Sequence, residues 1–494
     1  MSRRSQVPCR ERFSTVLRGP GARWRRWRKS QVQPGTRPLR RLASERLDPR
    51  ITAPTFHGRA LALAATAALF LAACTPGTSA SDDDIAPAGQ EAKGTVEFWH
   101  FFTDREATAI DAAIAKFEDA HPDIDVKVTA GQDDAKMLQA ISSGKGPDVG
   151  LSYSTDIVGK FCSSGAWRDL TPYIERDKVD LEQIPETVRS YTSYHDRRCA
   201  LPFLADVYGL YYNKTLLAQA GYTAPPKTMT ELADMAKKLT KRAPDGTIEV
   251  AGFLPLLNFY EHTPQHIAPA WDAQWLTEDE RSAIGTDPDW AAMLKWHKEL
   301  VDWYGYDNLQ EFTAGLGDEW SADNAFHQGK LAIAVDGEYR VAFLQDQAPG
   351  VDFGTAPLPV ADTQTDRYGA GFVTGNVAGI SANSKNPEAS WALIEYLTTE
   401  TESIVGLSNS IKNVPTTHDA LTSPDLQADE KFRTFLDIFE NPNTSTTPPN
   451  ASGPKYVEMA QEFVNGYLSG ANTDLAGGLK DLDQKIDQAL DLGR

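Results

Sequence analysis

The sequence predicts an α/β protein built as two domains, between which the chain crosses more than once. Strand-like and helix-like patterns alternate over residues 94–153, and a helix-rich stretch follows from Leu216 to about Trp320. Strand-like patterns then return at 330–335 and 377–382. Alternating strands and helices are typical of a parallel sheet covered by helices. A sheet pattern that is left and later re-entered indicates a chain shared between two domains.

The alternation begins with GTVEFW at 94–99, in which Val96 and Phe98 lie on the same face of a strand. Apolar residues then recur at three- and four-residue steps from Ala107 to Phe117, which predicts one face of a helix. Asp104 stands just before this helix and is the expected N-cap.

A second strand is predicted at 123–128, a helix at 135–142 and a third strand at 147–153. In open parallel sheets, ligands bind beyond the carboxyl ends of the strands. We therefore expect the loops at 99–104 and 152–156 to contribute to a binding site.

The rest of the chain is dominated by helical patterns. The helix-rich stretch contains Trp290, Trp296 and Trp303, which we expect to pack in its core because they lie within helical periodicity. His262 and His266 are four residues apart, but Pro264 between them favours a loop over a helical metal-binding pair. Further helices are predicted at 387–398, 456–468 and 479–490.

The apolar run at 60–73 stops at Cys74 and is followed by a polar tract rich in Ser, Asp, Gly and Pro. The run is shorter than the roughly 20 residues that a membrane-spanning helix needs. Its ending, Leu-Ala-Ala-Cys, resembles the lipobox of bacterial lipoproteins. The resemblance implies that 1–73 comprise an N-terminal extension and a signal peptide, and that Cys74 carries acyl chains such as palmitate. Residues 74–94 would then form a lipidated, flexible tether on the outer face of the cell membrane.

Residues 1–59 contain sixteen Lys and Arg against three Asp and Glu, with no apolar period. One interpretation is a basic arm that binds nucleic acid. The other, which we favour, is that translation starts later, near Leu47, because a nucleic-acid-binding arm has no use ahead of an export signal. Whether residues 1–46 are translated stays open.

The chain that follows the signal is strongly acidic. Without 1–73, 33 basic and 65 acidic residues remain, a formal net charge near −32. Such a charge favours solubility and argues against nucleic acid or an anionic lipid surface as a partner. The sequence holds no metal-ligand spacing and no cofactor motif, and we predict neither a metal nor a cofactor.

Cys162 and Cys199 are the two cysteines left beyond the one predicted to be lipidated. A pair of cysteines in an exported chain predicts a disulfide. Two separate buried thiols are the alternative.

Six stretches, in order, resemble the bacterial extracellular solute-binding proteins of family 1, the carbohydrate-binding components of ABC importers. The most distinctive is LPFLADVYGLYYNKTLLAQAGY at 201–222, where YYNK is followed by a Gly-aromatic pair. The other five are TVEFWH near residue 95 and the stretches at 144–174, 325–340, 379–398 and 411–421.

The resemblance implies a periplasmic-binding-protein-like fold: two α/β lobes, hinge crossovers and a ligand cleft between the lobes. One lobe is expected to hold 95–203 and 331–380, and the other 207–327 and 384–494. The crossovers would lie near 202–207, 326–330 and 380–384. Cys162 and Cys199 then fall in one lobe, so their disulfide would not block closure.

A sugar presents apolar C–H faces and a rim of hydroxyls, so its site needs aromatic platforms together with carboxylates or amides. Candidates follow from placement in the loops after the strands, at the crossovers and in the helix-rich lobe. The candidate ligand-binding residues are Trp99, His100, Thr103, Asp104, Tyr153, Ser154, Asp156, Asp206, Tyr208, Asn258, Tyr260, Trp271, Trp320, Glu338, Tyr339, Gly371, Phe372 and Asn376.

The predicted function is capture of a sugar, with an oligosaccharide favoured, by closure of the lobes, and delivery to ABC permease subunits. We expect a monomer with no catalytic residues. Two alternatives stay open: a secreted carbohydrate-active enzyme such as a glycosidase or lyase, and an adhesin or sensor without a transport partner. A glycerol-phosphate-type ligand would require cations in the cleft, for which Arg105 and Arg340 are available.

Overall fold

The computed structural model describes residues 85–87 and 92–493. The predicted signal peptide and Cys74 lie outside the described residues. The described part of the chain belongs to one compact unit, and none of its helices has the length and apolar character needed to span a membrane.

The described chain contains seventeen α-helices and eleven strands. The strands are β1 Gly94–His100, β2 Ile124–Thr129, β3 Val149–Ser152, β4 Ser193–Tyr194, β5 Arg197–Arg198, β6 Leu201–Asn213, β7 Lys241–Arg242, β8 Ile248–Val250, β9 Ile333–Gly337, β10 Phe353–Ala356 and β11 Val373–Ile380. The helices are α1 Asp104–Ala120, α2 Asp134–Ser142, α3 Val158–Ser163, α4 Thr171–Asp177, α5 Glu186–Ser190, α6 Lys214–Gln219, α7 Met229–Leu239, α8 Pro264–Ile267, α9 Pro288–Tyr304, α10 Tyr306–Ala314, α11 Arg340–Gln347, α12 Pro387–Thr399, α13 Thr401–Ile411, α14 His418–Leu421, α15 Glu430–Phe439, α16 Lys455–Leu468 and α17 Leu475–Gly493.

These bounds confirm most of the predicted elements: β1, β2, β3, β9 and β11 fall on the predicted strands, and α2, α12, α16 and α17 on predicted helices. The predicted cap is wrong. Asp104 is the first residue of α1, at a φ of 49°, and Thr103 takes the N-cap position without a side-chain hydrogen bond.

The main sheet has seven strands in the order β10-β6-β11-β3-β1-β2, with β9 also paired to β6. β1 runs parallel to β2 and β3, while β6, β9, β10 and β11 pair antiparallel. The fold is thus mixed α/β around one large sheet, with β4–β5 and β7–β8 as two small two-stranded sheets beside it, and the parallel part of the large sheet is the one that the alternation predicted.

β6 is thirteen residues long, and its two halves pair with different strands of the sheet. Its first half, 201–207, pairs with β11, and its second half, 208–213, pairs with β9 and β10. A single buried strand therefore carries the chain from one part of the sheet to another, and the predicted crossover at 202–207 lies within it.

The helices fall into two groups, according to which strands or helices they pack against. α12 packs against β1, β6 and β11, and α13 packs against α1. α15 packs against β10 and β6, while α16 packs against α9 and α17. β9 and β10 thus pair with the half of β6 that does not pair with β11.

Cys162 and Cys199 form the predicted disulfide, with their Cα atoms 5.6 Å apart. Both cysteines are buried. The bond links α3 to the residue two positions before β6, so it fixes the approach of the chain to the shared strand.

Candidate ligand-binding site

Asp206 lies in the middle of β6, where the two halves of the strand meet. Its carboxylate accepts hydrogen bonds from the side-chain amides of Asn376 on β11, at 3.3 Å, and of Asn413, just after α13. Burial raises the pKa of Asp206 to about 7. The predicted residues Asp206 and Asn376 are therefore brought together, and each holds the crossover in place.

Glu338 follows β9 and is completely buried. One carboxylate oxygen accepts the Val207 backbone N–H at 2.6 Å, and the carboxyl group lies within hydrogen-bonding reach of Asp206. Burial raises the pKa of Glu338 well above its ordinary value, and the charge of Asp206 raises it further. Glu338 directly follows the last residue of β9 that pairs with β6, and this placement turns its side chain inward.

An aromatic group, formed by Tyr208, His266 and Phe372, lies beside the carboxyl groups of Asp206 and Glu338. The ring of Tyr208 stacks on His266 with centroids 3.6 Å apart and planes at 17°. Phe372 contacts both rings, with centroids 5.9 and 5.2 Å away. Gly371 allows this approach: a Cβ there would meet Ile438 at 2.6 Å and the Tyr208 carbonyl at 3.2 Å. Its role in the fold is thus close packing of the backbone.

Tyr339 extends the aromatic group toward the surface. Its hydroxyl lies within hydrogen-bonding reach of Tyr208 and of the Glu261 carboxylate. The Trp320 ring lies 5.6 Å from Tyr339 and is 47% exposed, which is unusual for an indole. An exposed indole beside a buried polar cluster is the arrangement expected of a sugar platform.

Arg340 is the buried cation of this region. It forms an ion pair with Asp336 at 2.6 Å and lies 3.6 Å from Glu319, with its guanidinium 5.0 Å from the Trp320 ring centroid. Burial, together with neighbouring carboxylates, raises the pKa of Glu319 to about 9 and that of Glu261 to about 8. Carboxyl groups thus outnumber cations around the aromatic group.

The loop after β1 contributes the next set of predicted residues. Trp99 is half-buried, with the Lys136 ammonium 5.8 Å from its ring centroid. His100 is buried, and neither ring nitrogen has a hydrogen-bond partner among the described residues. Burial lowers the pKa of His100 to about 4, so it is neutral at pH 7. Thr103 and Asp104 are exposed.

The loop after β3 contacts α8 through a hydrogen bond between Asp156 and Gln265. Asp156 is 7% exposed and accepts a hydrogen bond from the Gln265 amide at 2.8 Å, while its other oxygen has no partner among the described residues. Burial raises the pKa of Asp156 to about 6. The Ser154 hydroxyl accepts the Asp156 backbone N–H at 3.2 Å. Gln265 also donates to Thr447 at 2.8 Å, so it bridges three segments.

A cavity of about 510 Å³ opens beside this contact. It is lined by the start of α2, the loop after β3, α3, α8 and α16, and the half-exposed ring of Tyr153 forms part of its wall. Asp134 lies in it, 8% exposed, and burial raises the pKa of Asp134 to about 7. The volume is in the range of small-molecule sites.

Three predicted residues of the helix-rich part have mixed placements. Tyr260 donates from its hydroxyl to the Gly317 carbonyl at 2.7 Å and holds the loop that leads to Trp320. Asn258 is exposed. Trp271 is buried, with its ring 6.2 Å from Trp296, and belongs to the core of this region. Trp303, expected in the core, is instead 42% exposed.

Sequence reasoning missed four contributors to the site: Asp134, Glu261, Gln265 and His266. His266 lies inside α8, which begins at Pro264, so the loop interpretation of this histidine is wrong. Pro264 does not break this helix because it occupies the first helical position, where its missing N–H is not needed. Three of the four fall in the stretch EHTPQH, so that density of polar residues is the signal that was available.

Comparison with known proteins adds to this geometry. The family model for bacterial extracellular solute-binding proteins matches residues 103–403. The maltotriose-binding protein of Pyrococcus abyssi is 26% identical over 339 residues, which are 68% of this chain and 69% of that protein. The maltooligosaccharide ABC transporter solute-binding lipoprotein of Streptococcus pneumoniae is 25% identical over 431 residues, which are 83% of this chain and 92% of that protein.

Solved structures agree on the fold. CpMnBP1 with mannotriose bound superposes with a TM-score of 0.72 at 24% identity, and the match covers 79% of this chain and 99% of that one. At this identity the likeness establishes a shared two-lobe α/β architecture. Asp206 and Tyr208 lie in this fold at the middle of β6, where its pairing changes from β11 to β9.

Proposed function

The chain belongs to the bacterial extracellular solute-binding protein family, and from this membership we propose that it is a lipid-anchored receptor that captures a sugar and delivers it to an ABC importer. An oligosaccharide is the favoured ligand, since the relatives named above bind maltotriose, maltooligosaccharides or mannotriose. Cys74 would hold the receptor on the outer face of the cell membrane. We propose that it acts as a monomer and that the permease subunits are its protein partners.

One observation carries the proposal of a sugar. Aromatic rings and uncharged or protonatable oxygen acceptors converge at β6. Trp320 is the exposed member of this group of residues, and Tyr208 is a buried one. Stacking on a sugar's C–H face and accepting from its hydroxyls require this combination.

The proposed capture is a closure of two lobes over the sugar. We propose that β1–β3, β11, α1, α12 and α13 form one lobe, and that β9, β10, α9 and α15–α17 form the other. This division replaces the ranges predicted from sequence, and it is supported by the strand pairing and helix packing. Small-angle scattering with and without ligand measures the compaction that closure entails.

An anionic ligand of the glycerol-phosphate type is disfavoured by the charges at the site. Arg340 is already paired with Asp336 at 2.6 Å, and Arg105 donates to the Ser410 carbonyl at 2.7 Å. A phosphate would have to compete with these partners among an excess of carboxyl groups.

A thermal-shift screen tests the proposal directly. Glucose, maltose, maltotriose, mannose, mannobiose, mannotriose and glycerol 3-phosphate form the panel. Ligand at 100 times its dissociation constant adds about 2.7 kcal/mol to the free energy of unfolding, a shift that the assay resolves. Stabilisation by glycerol phosphate alone, or by no sugar, would contradict the proposal. Release of reducing ends from the same oligosaccharides would instead favour the carbohydrate-active enzyme.

A further inference from the structure

The segment at 85–87, which precedes β1, is held against the folded part of the chain. The Ala86 backbone N–H donates to the Glu388 carboxylate at 2.9 Å, and the Ala86 carbonyl accepts from the Arg176 guanidinium at 3.0 Å. The Ile85 side chain is partly buried and packs against the core. These contacts fall within the stretch 74–94, which the sequence predicts to be a flexible tether along its whole length.

The two side chains that hold Ala86 are also paired with each other. The Arg176 guanidinium donates to Glu388 at 2.6 Å and to Asp177 at 2.9 and 2.6 Å. Arg176 lies in the last turn of α4 and Glu388 in the first turn of α12, where each charge is favoured by the helix dipole. The donor and the acceptor that Ala86 uses are thus fixed by contacts that do not involve Ala86.

Aromatic packing supports this ion pair from below. The Arg176 guanidinium lies 5.2 Å from the centroid of the Tyr173 ring, and Tyr173 stacks on Trp391 with centroids 5.3 Å apart. Both rings are buried, and the Trp391 indole N–H donates to Asp177 at 2.7 Å. Side chains that are already immobile lose little conformational entropy when a segment binds to them. Arg176 and Glu388 therefore have the character of a preorganised site.

The sequence of the segment suits such a site. Pro87 follows Ala86, and a residue before proline is biased toward extended conformations. An extended residue directs its N–H and its C=O to the same side, as in an antiparallel ladder, which matches a carboxylate beside a guanidinium. Ile85 is the only large apolar residue between Cys74 and Val96. The segment at 85–87 is therefore the one place in the predicted tether where an apolar side chain and a preset backbone coincide.

We propose that Arg176 and Glu388 form a docking site for the chain's own segment 85–87, which fixes where the tether leaves the folded protein and shortens its reach. Cys74 lies twelve positions before Ala86 and twenty before Gly94, the first residue of β1. An extended chain spans at most about 3.6 Å per residue, so docking lowers the longest possible reach from about 70 Å to about 40 Å. The reach rests on the lipid anchor of the proposed function, and the docking does not.

Hydrogen exchange of the purified protein, read by mass spectrometry on peptides that contain residues 85 and 86, tests the docking. The Ala86 amide is expected to exchange about tenfold or more slowly than in a free peptide of the same sequence, because it donates to a charged carboxylate. Glu388→Ala is expected to remove this protection. Arg176→Lys, which keeps the charge and loses the planar fork of donors, is expected to reduce it.

Glu395→Ala is the matched control. It removes a carboxyl group from the same helix, about two turns further along, and among the described residues Glu395 makes no bond to Ala86. Its Ala86 protection is expected to equal that of the wild type. Melting curves establish that each variant is folded, and Glu388→Gln, which loses only the charge, replaces Glu388→Ala if the latter does not fold.

Thermolysin, which cuts before large apolar residues, provides a second measurement. Cleavage of the bond between residues 84 and 85 is expected to be faster in Glu388→Ala than in the wild type and in Glu395→Ala, because docking shields Ile85. The product is identified by its new N-terminus. Equal cleavage rates in the three proteins, rapid exchange of Ala86 in the wild type, or protection that survives Glu388→Ala would each overturn the docking.

Further measurements separate this inference from the proposed function. Glu388→Ala is expected to bind sugar like the wild type, so a wild type that protects Ala86 and binds no sugar contradicts the proposed function alone. Neutron reflectometry of the lipidated protein on a supported bilayer tests the reach. The protein layer is expected to lie farther from the bilayer in Glu388→Ala than in the wild type, and equal distances would overturn the shortened reach.

Discussion

The carboxylate of Glu338 accepts a hydrogen bond from the backbone N–H of Val207 at 2.6 Å. This bond joins the segment after β9 to the centre of β6, one residue beyond Asp206. The two carboxyl groups are both buried, and the cations of the region pair elsewhere: Arg340 bonds Asp336. Two buried acids in contact cannot both ionise cheaply, so the pair retains a proton near neutral pH.

Glu338→Gln is expected to flatten the dependence of stability on pH. In the folded protein, burial raises the pKa of Asp206 to about 7 and that of Glu338 well above its usual range. Such acids bind more protons in the folded state, so their contribution to stability is full below pH about 4 and is lost as pH rises through 7. Glutamine imitates the protonated acid at every pH and removes part of that loss.

Calorimetric melting between pH 5 and 8.5 measures this difference. The melting temperature of Glu338→Gln should fall less over this range than that of the wild type. Asp481→Asn, a substitution of an exposed acid in α17, is the control and should follow the wild type. Parallel curves for the wild type and Glu338→Gln would show that the pair does not titrate in this range.

Trp320→Ala is expected to weaken sugar binding by about 2 kcal/mol, which is the cost of removing an aromatic anchor from a binding surface. Trp303→Ala provides a matched control, because the two indoles are 47% and 42% exposed but Trp303 lies on α9, away from the shared strand. Titration calorimetry with the sugar selected in the thermal-shift screen gives both affinities. Equal losses, or none, would remove Trp320 from the site.

Replacing Cys162 and Cys199 together with alanine should lower the melting temperature while sugar binding persists. The disulfide closes a loop with a sequence separation of 37 residues. Closing a loop of this length is worth about 4 kcal/mol in the chain-entropy estimate. Thiol labelling of the denatured, non-reduced wild-type chain from residue 75 onward should detect no free thiol. Stoichiometric labelling of both cysteines would contradict the bond.

Cys74→Ser is expected to move the protein from the membrane fraction to the soluble fraction, or to leave an uncleaved precursor. The reason is the apolar run at 60–73 that ends in Leu-Ala-Ala-Cys. Metabolic labelling with a fatty-acid analogue should mark the wild type and spare the variant. A variant that is processed and retained like the wild type would exclude lipidation at this residue.

Local periodicity made the regular elements predictable. β1 and α1 follow from alternation at 94–99 and from the apolar stripe from Ala107 to Phe117, which depend only on near neighbours in the chain. The Cys162–Cys199 pair was predictable because these are the only two cysteines in the sequence after Cys74. Long-range pairing was not predictable in this way, since the pairing of β9 with the second half of β6 joins residues more than 120 positions apart.

The site was predictable in its chemistry and less so in its details. Asp156 and Tyr208 were expected near the strand ends and crossovers, and the structure links them through the neighbouring residues Gln265 and His266. Burial is what the sequence could not convey. Whether an acid such as Glu338 faces solvent depends on the register of its strand, which tertiary pairing decides.

The sharing of β6 has a consequence for how the protein can be taken apart. The first half of this strand is hydrogen-bonded to β11, and the second half is hydrogen-bonded to β9 and β10. Neither proposed lobe therefore possesses a complete sheet without the other. The lobes are therefore not independent modules that could be expressed separately or exchanged between relatives by cutting at the hinge. We expect chemical denaturation to proceed in one cooperative step, with tryptophan fluorescence and far-ultraviolet circular dichroism reporting the same midpoint.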